Sequence, residues 1–204
     1  TESRVFISGP SGSGKELIAR KIHKASLRNK NPFIVLNGAL LDINKYELEL
    51  FGEEKENGSI SYGALEKANK GTLLIDQVSE IPLDIQSKIL RVLTDQKFKR
   101  VNGINDLSVD VRLICLSSKD LKKEIEIGNF REDLFHRINV FEINIEPLNQ
   151  RISDIPLLIK YFSRKISDNY NIKELDIDEN NSYILNHNWH GNVRELRNLI
   201  ERIA

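Results

Sequence analysis

The stretch Val5-Phe6-Ile7-Ser8-Gly9-Pro10-Ser11-Gly12-Ser13-Gly14-Lys15-Glu16 runs from an apolar, β-branched segment into a glycine-rich turn, and Leu17-Ile18-Ala19-Arg20-Lys21-Ile22 follows it. The interval from Gly9 through Gly14 to Lys15 is that of a phosphate-binding loop between a buried strand and a helix. Its glycines let the backbone curl until successive N–H groups face inward onto anionic oxygens, and the positive end of the next helix adds to the same spot. Lys15 is then the cation for the outer phosphates. Glu16 departs from the general pattern, which has Ser or Thr there to touch Mg²⁺.

Downstream, Asn29-Lys30-Asn31-Pro32 breaks the helix, and Phe33-Ile34-Val35-Leu36 predicts a second buried strand ending at Asn37-Gly38. Asn37 stands at a strand's carboxyl end, where open α/β sheets bind ligands, and it serves equally as a turn-former. Leu48, Leu50 and Phe51 close a short helix; residues 52–63 have no sustained period and read as an exposed, mobile loop. Ala64 to Lys70 is helix-prone with Gly71 as its C-cap, and Thr72-Leu73-Leu74-Ile75 predicts a third strand delivering Asp76-Gln77 at its tip. From Pro82, the spacing of Ile85, Ile89, Val92 and Leu93 predicts a helix through Asp95.

Phe98 to Val101 and Leu107 to Val109 predict a hairpin about Asn102-Gly103, Val111 to Leu116 a fourth core strand ending in Ser117-Ser118, and Asn139 to Ile145 the last strand. Beyond Pro147 the strand signal ends. Ile155, Leu158, Ile159, Phe162 and Ile166 mark one helix; Asp178 is read as the cap of a second with Ile184 and Leu185, and Asn192 as the cap of a third with Val193, Leu196, Leu199, Ile200 and Ile203. Strands alternating with helices predict an α/β fold, a parallel P-loop sheet sandwiched by helices over 1–146, with a small all-helical domain over 147–204.

A chain of 204 residues is long enough for one sizeable core. Its 30 basic and 30 acidic residues cancel, so no global field draws it to nucleic acid or an anionic membrane. The single cysteine, Cys115, lies in an apolar run and excludes an internal disulfide, which fits a reducing compartment. With no stretch of membrane-span length and no secretory signal at the start, the expected location is the cytoplasm. His187 and His190 bracket Trp189 without a third ligand nearby and are not read as a metal site. A strand beginning so soon after Thr1 suggests part of a longer polypeptide.

Further signatures are Glu49-Leu50-Phe51-Gly52, Ala68-Asn69-Lys70-Gly71-Thr72-Leu73-Leu74-Ile75-Asp76, Phe130-Arg131-Glu132-Asp133-Leu134-Phe135-His136-Arg137-Ile138-Asn139-Val140 and Trp189-His190-Gly191-Asn192-Val193-Arg194-Glu195-Leu196. With the phosphate loop and its unusual Glu16, they resemble the central AAA+ domain of σ54-dependent activators, the NtrC type of response regulator. The resemblance covers essentially the whole chain. It implies ATP or ADP on Gly9, Pro10, Ser11, Gly12, Ser13, Gly14, Lys15 and Glu16, with the run Ala68, Asn69, Lys70, Gly71, Thr72, Leu73, Leu74 and Ile75 counted with that site. It further implies that Asp76 holds Mg²⁺ through water, Asn37 couples nucleotide state to the neighbouring machinery, and Ser117 and Ser118 lie at the first sensor. Arg131 and Arg137 correspond to arginine fingers reaching the next subunit's nucleotide in a ring-forming oligomer, and Arg194 to the second sensor on the lid. Taken outside their motif, the two fingers would read as surface or salt-bridged arginines.

Two departures bear on function. Where the family grips σ54 with Gly-Ala-Phe-Thr-Gly-Ala, this chain has Glu56-Asn57-Gly58-Ser59-Ile60-Ser61-Tyr62-Gly63-Ala64, which resembles the NtrX branch and speaks against engaging σ54–RNA polymerase by that loop. Gln77 stands where the family has a glutamate to polarise the attacking water, which implies weakened hydrolysis. The resemblance thus implies a nucleotide-binding module in transcription control, with a phosphorylatable receiver answering a sensor histidine kinase and a helix-turn-helix DNA-binding domain outside this segment. The competing readings are an active ATPase that remodels σ54–RNA polymerase or another partner, and a small-molecule P-loop kinase.

Overall fold

The computed structural model describes residues 2–40, 43–173, 175, 177, 178 and 180–204. In chain order its elements are β1 (Val5–Ser8), α1 (Lys15–Lys24), β2 (Phe33–Asn37), α2 (Ile43–Phe51), β3 (Gly52–Glu54), β4 (Ile60–Tyr62), α3 (Ala64–Lys67), β5 (Thr72–Asp76), α4 (Leu83–Asp95), β6 (Lys97–Phe98), β7 (Leu107–Ser108), β8 (Arg112–Ser117), α5 (Leu121–Glu126), α6 (Glu132–Ile138), β9 (Phe141–Asn144), α7 (Asp154–Tyr170), α8 (Ser182–Leu185) and α9 (Asn192–Ile203). They form two compact units. One holds the chain up to Ser8 and Glu16–Ile143, the other Gly9–Lys15 with Asn144–Ala204. The phosphate loop thus belongs with the C-terminal helices.

In the first unit a five-stranded sheet has the order β2-β5-β8-β1-β9, and β2 with β5, β5 with β8, and β8 with β1 are parallel. Side chains on a strand alternate between faces. Val5, Ile7, Leu74, Ile114 and Leu116 are buried at one parity, and Phe6, Leu73, Ile75, Leu113 and Cys115 at the other. A sheet covered on both faces explains why these strands read as continuous apolar runs rather than alternating ones. The second set packs with Leu50 and Phe51 of α2, Ile85 and Ile89 of α4, and Leu134 and Ile138 of α6. The expected α/β fold with a helical C-terminal part is the one observed. Parallel register also gathers the carboxyl ends of the strands on one edge, pairing Asn37 with Asp76 and Ser8 with Ser117.

Residues 52–63, expected to be an irregular mobile loop, instead form an antiparallel hairpin in which Gly52 faces Tyr62 and Glu54 faces Ile60. The stabilising groups come from elsewhere in the chain. Arg100 donates to Glu54 Oε1 at 2.9 Å and to both carboxylate oxygens of Glu66 at 2.8 and 2.6 Å, and its guanidinium lies 5.6 Å from the centre of the Tyr62 ring. Arg100→Ala would leave two half-buried carboxylates facing each other. Hydrogen bonds to charged groups contribute about 1.5–3 kcal/mol, so the variant is expected to lose about 2 kcal/mol and to become cleavable within 52–62 by limited proteolysis. Unchanged cleavage would show that Arg100 does not pin the hairpin.

Two smaller expectations are also corrected. The segment after α3 does not end on a left-handed Gly71: Lys70 takes that conformation (φ 65°). Gly71 is required for a different reason, since a Cβ there would lie 2.1 Å from the Pro32 carbonyl oxygen. The hairpin about Asn102-Gly103 forms with strands of only two residues each, because Val101 bridges to Glu53 instead.

In the second unit Leu148, Ile155, Ile159, Ile166, Trp189, Leu196 and Ile200 form the core, and Trp189 Nε1 donates to the Ile184 carbonyl at 3.0 Å. Asn181 rather than Asp178 caps α8, its side chain accepting from the Tyr183 amide at 2.9 Å. Asp178 closes a local turn onto the Asn180 amide.

Candidate functional site

Within the second unit the phosphate loop has every carbonyl from Gly9 to Ser13 occupied. Lys15, only 7% exposed, donates from Nζ to the Gly9 and Pro10 carbonyls at 2.7 and 3.0 Å, and the Ser13 amide closes a turn onto Pro10 at 3.3 Å. Asn192 Nδ2 donates to the Ser11 carbonyl at 3.0 Å, the Arg194 amide to the Gly12 carbonyl at 3.3 Å, and Arg151 Nη2 to the Ser13 carbonyl at 2.9 Å. The Arg194 guanidinium reaches Ser11 Oγ at 3.4 Å, which puts the residue expected to be the second sensor beside the loop. Ser13 Oγ is buried with no partner among the described residues. Gly12 adopts φ +75°, and a Cβ on it would meet the Gly191 carbonyl oxygen at 2.2 Å. In the first unit the Glu16 carboxylate is taken by Arg20 one helical turn on, at 2.7 and 2.9 Å.

In the first unit the carboxyl edge of the sheet carries the other candidates. Asp76 Oδ1 accepts the Gln77 amide at 2.9 Å. Asn37, its neighbour in register, turns its side chain back to accept the Ala39 amide at 3.0 Å, so the turn-forming role is present at the carboxyl edge of the sheet. Gln77 is left-handed (φ 56°, ψ 51°), a conformation that costs a non-glycine residue free energy and recurs at functional sites. Its Oε1 accepts Ser118 Oγ at 2.8 Å. Ser117 is buried, and its hydroxyl is bonded to Lys119; Ser118 alone of the pair reaches Gln77.

The run Ala68 to Ile75 does not line this edge. Ala68, Thr72, Leu73, Leu74 and Ile75 are at most 1% exposed, and Asn69, Lys70 and Gly71 lie at the amino end of β5, about 20 Å of extended chain from Asp76. Asn69 and Lys70 there engage Asp110. The run serves the edge by burying β5 so that Asp76 is held at its tip.

The arginines of α6 occupy different settings. Arg131 caps the helix start, its amide donating to Gln86 Oε1 at 2.8 Å and its exposed guanidinium to Asp133 at 3.0 and 2.7 Å. That guanidinium holds the Asp133 carboxyl below the ordinary carboxylate range. Arg137, half-buried in the last turn, donates to the Leu93 carbonyl at 3.0 Å and leaves Nε buried without a partner among the described residues.

Two residues of the loop's surroundings were not legible in the sequence as such. Asn192 was read as a helix cap, but Gly191 holds that position; Asn192 is left-handed (φ 54°) and bridges, its Oδ1 accepting the Leu148 amide at 2.8 Å while its Nδ2 holds Ser11. Its positive φ, common for Asn, follows the Trp-His-Gly turn. Arg151 falls outside any periodic pattern.

A family model described as the Sigma-54 interaction domain matches residues 1–144, and one described as the AAA+ ATPase lid domain matches 149–204. The nitrogen assimilation regulatory protein NtrX of Azorhizobium caulinodans is 44% identical over 205 residues, covering 100% of this chain and 45% of its own length. Crystal structures of NtrX from Brucella abortus in complex with ADP and with ATP are similar at TM-scores of 0.94 and 0.92, each 44% identical over 99% of this chain and covering 45% and 47% of theirs. The chain therefore spans about half the length of the relatives it matches. With matched segments running through both units and such identity to NtrX, the chain belongs to the Sigma-54 interaction domain family, carrying an AAA+ lid.

Proposed function

We propose that this chain is the nucleotide-binding module of an NtrX-like response regulator, taking ATP or ADP on the loop from Gly9 to Lys15. The observation that carries this reading is the loop itself: the Ser11, Gly12 and Ser13 carbonyls are held from outside it by Asn192, Arg194 and Arg151, which leaves glycine amides for phosphate oxygens. The NtrX crystal structures bound to ADP and ATP support it. Lys15 would exchange its carbonyl bonds for phosphate oxygens, and Arg194 would add a cation beside Ser11.

Mg²⁺ fits the hard carboxylate of Asp76, held through water. Glu16, paired with Arg20, supplies no ligand. When bound, the ion neutralises charge on the outer phosphates. Asn37 couples the nucleotide edge to the turn at Ala39, Ser118 orients Gln77, and Arg131, exposed at a helix start, is the better-placed finger for a neighbouring subunit's nucleotide in a ring. Arg137 would have to leave Leu93 to join it. Gln77 weakens hydrolysis, so the nucleotide acts chiefly as an assembly signal. The hairpin over residues 52–62, without the family's aromatic–threonine tip, does not grip σ54 in the usual way. An α/β core over 1–146, a lid over 147–204, a receiver addressed by a sensor histidine kinase, a DNA-binding domain and a cytoplasmic location complete the reading; no helix among the described residues is long and apolar enough to cross a membrane.

A titration with ATP and ADP, followed by heat of binding together with turnover and oligomer mass, tests it. Both nucleotides are expected to bind while turnover stays low. Binding by neither would end the proposal. Turnover at an ordinary AAA+ rate would favour the second reading, an active ATPase remodelling a partner, for which the exposed Arg131 is the supporting observation.

A further inference from the structure

We infer that Arg151 is a positioning residue of the phosphate loop, fixing the amide that a nucleotide's phosphates meet at Gly14. This rests on the proposed nucleotide site and adds to it a residue that no sequence motif marks.

In a trans peptide the carbonyl of one residue and the N–H of the next point in opposite directions. A group that holds a loop carbonyl outward therefore aims the following N–H inward. Asn192 on the Ser11 carbonyl does this for Gly12, and Arg151 on the Ser13 carbonyl does it for Gly14. Gly14, at φ +102°, has no side chain to fix that peptide, and among the described residues beyond its chain neighbours nothing lies within 4 Å of its Cβ position. Arg151 is thus the orienting contact for the Ser13–Gly14 peptide.

Two further observations favour a role beyond packing. Arg151 Nε is buried with no partner among the described residues, and Nη1 reaches Asp154 only at 3.3 Å, a part-buried pair. An unpaired buried donor is disfavoured unless another interaction compensates it. The guanidinium is also a positive charge directly behind an amide cradle for anions, where field and hydrogen bond act in the same direction.

The test compares the wild-type chain with Arg151→Ala, Arg151→Lys and Asp154→Ala for binding of ADP, ATP and inorganic tripolyphosphate, with thermal unfolding of each protein free of ligand. Loss of one charge-assisted hydrogen bond, about 1.4 kcal/mol or more, corresponds to at least about tenfold weaker binding. Arg151→Ala is expected to show that loss for all three ligands alike, since the phosphates carry it, and Arg151→Lys to recover part of it. Asp154→Ala should bind as wild type, because the carbonyl bond survives. Equal weakening by Asp154→Ala, a loss confined to the nucleotides and absent for tripolyphosphate, or unchanged binding in Arg151→Ala would overturn the assignment while leaving the nucleotide site standing. Wild type that binds no nucleotide would remove the site and this role together.

Discussion

Gln77→Glu is expected to raise ATP turnover by about two to four orders of magnitude, the usual contribution of a positioned general base. The amide oxygen of Gln77 already accepts the Ser118 hydroxyl at 2.8 Å. What remains is the NH₂ end, which donates and has no lone pair to take a proton from water. A carboxylate of the same length keeps one oxygen for Ser118 and offers the other as an acceptor. The backbone need not change, because the left-handed turn at residue 77 depends on the close of β5 rather than on the side chain's charge. Phosphate release at saturating ATP is the measurement, with binding recorded in parallel. A large rise in rate with little change in affinity is the expected pair of results. If wild type already turns over at the rate of an active ATPase, or if the variant stays silent while binding ATP, Gln77 is not what limits hydrolysis.

The parts of the molecule that could be read from sequence are those whose cause is local. The strands from Val5, Thr72 and Arg112 declare themselves because a parallel sheet buried on both faces demands unbroken apolar runs, whereas the strand from Phe33, equally apolar and expected to be buried, is an edge strand with Val35 exposed. α4 and α7 show helical periods because one stripe of each must meet a core. The hairpin over residues 52–62 was missed because little within it favours strands. Its order comes from Arg100 and Glu66, outside the hairpin in sequence, and an ion pair closed through the fold has no linear signature. The same holds at the site. The phosphate loop is legible since its glycines are dictated by its own backbone. Arg151 and Asn192 act on that loop across more than 130 residues of chain; no pattern surrounds Arg151, and the signature that contains Asn192 does not name its distant partner. The run Ala68 to Ile75 illustrates the converse: a motif marks a stretch, but burial shows that only its last neighbour, Asp76, meets solvent at the edge.

Gly12→Ala is expected to destabilise the C-terminal unit by about 2–4 kcal/mol, and Gly14→Ala by markedly less. Both residues have positive φ, +75° and +102°, so both substitutions strain the backbone, at about 1 kcal/mol or somewhat more. Only Gly12 has a second obligation. A methyl group there lies 2.2 Å from the Gly191 carbonyl oxygen and 3.1 Å from the Arg194 Cβ, whereas none of the surrounding atoms comes within 4 Å of one on Gly14. Gly191 sits between left-handed Trp189 and Asn192, so its carbonyl cannot withdraw without disturbing the turn that sets Trp189 into the core. Overpacking of this kind typically adds about 1–3 kcal/mol. The sole tryptophan of the chain is Trp189, 3% exposed, which makes its fluorescence a reporter of that unit during urea unfolding. The midpoint of Gly12→Ala should fall well below that of Gly14→Ala. Coincident midpoints would mean that the close approach of Gly12 and Gly191 is not what ties the phosphate loop to the start of α9, which carries Arg194.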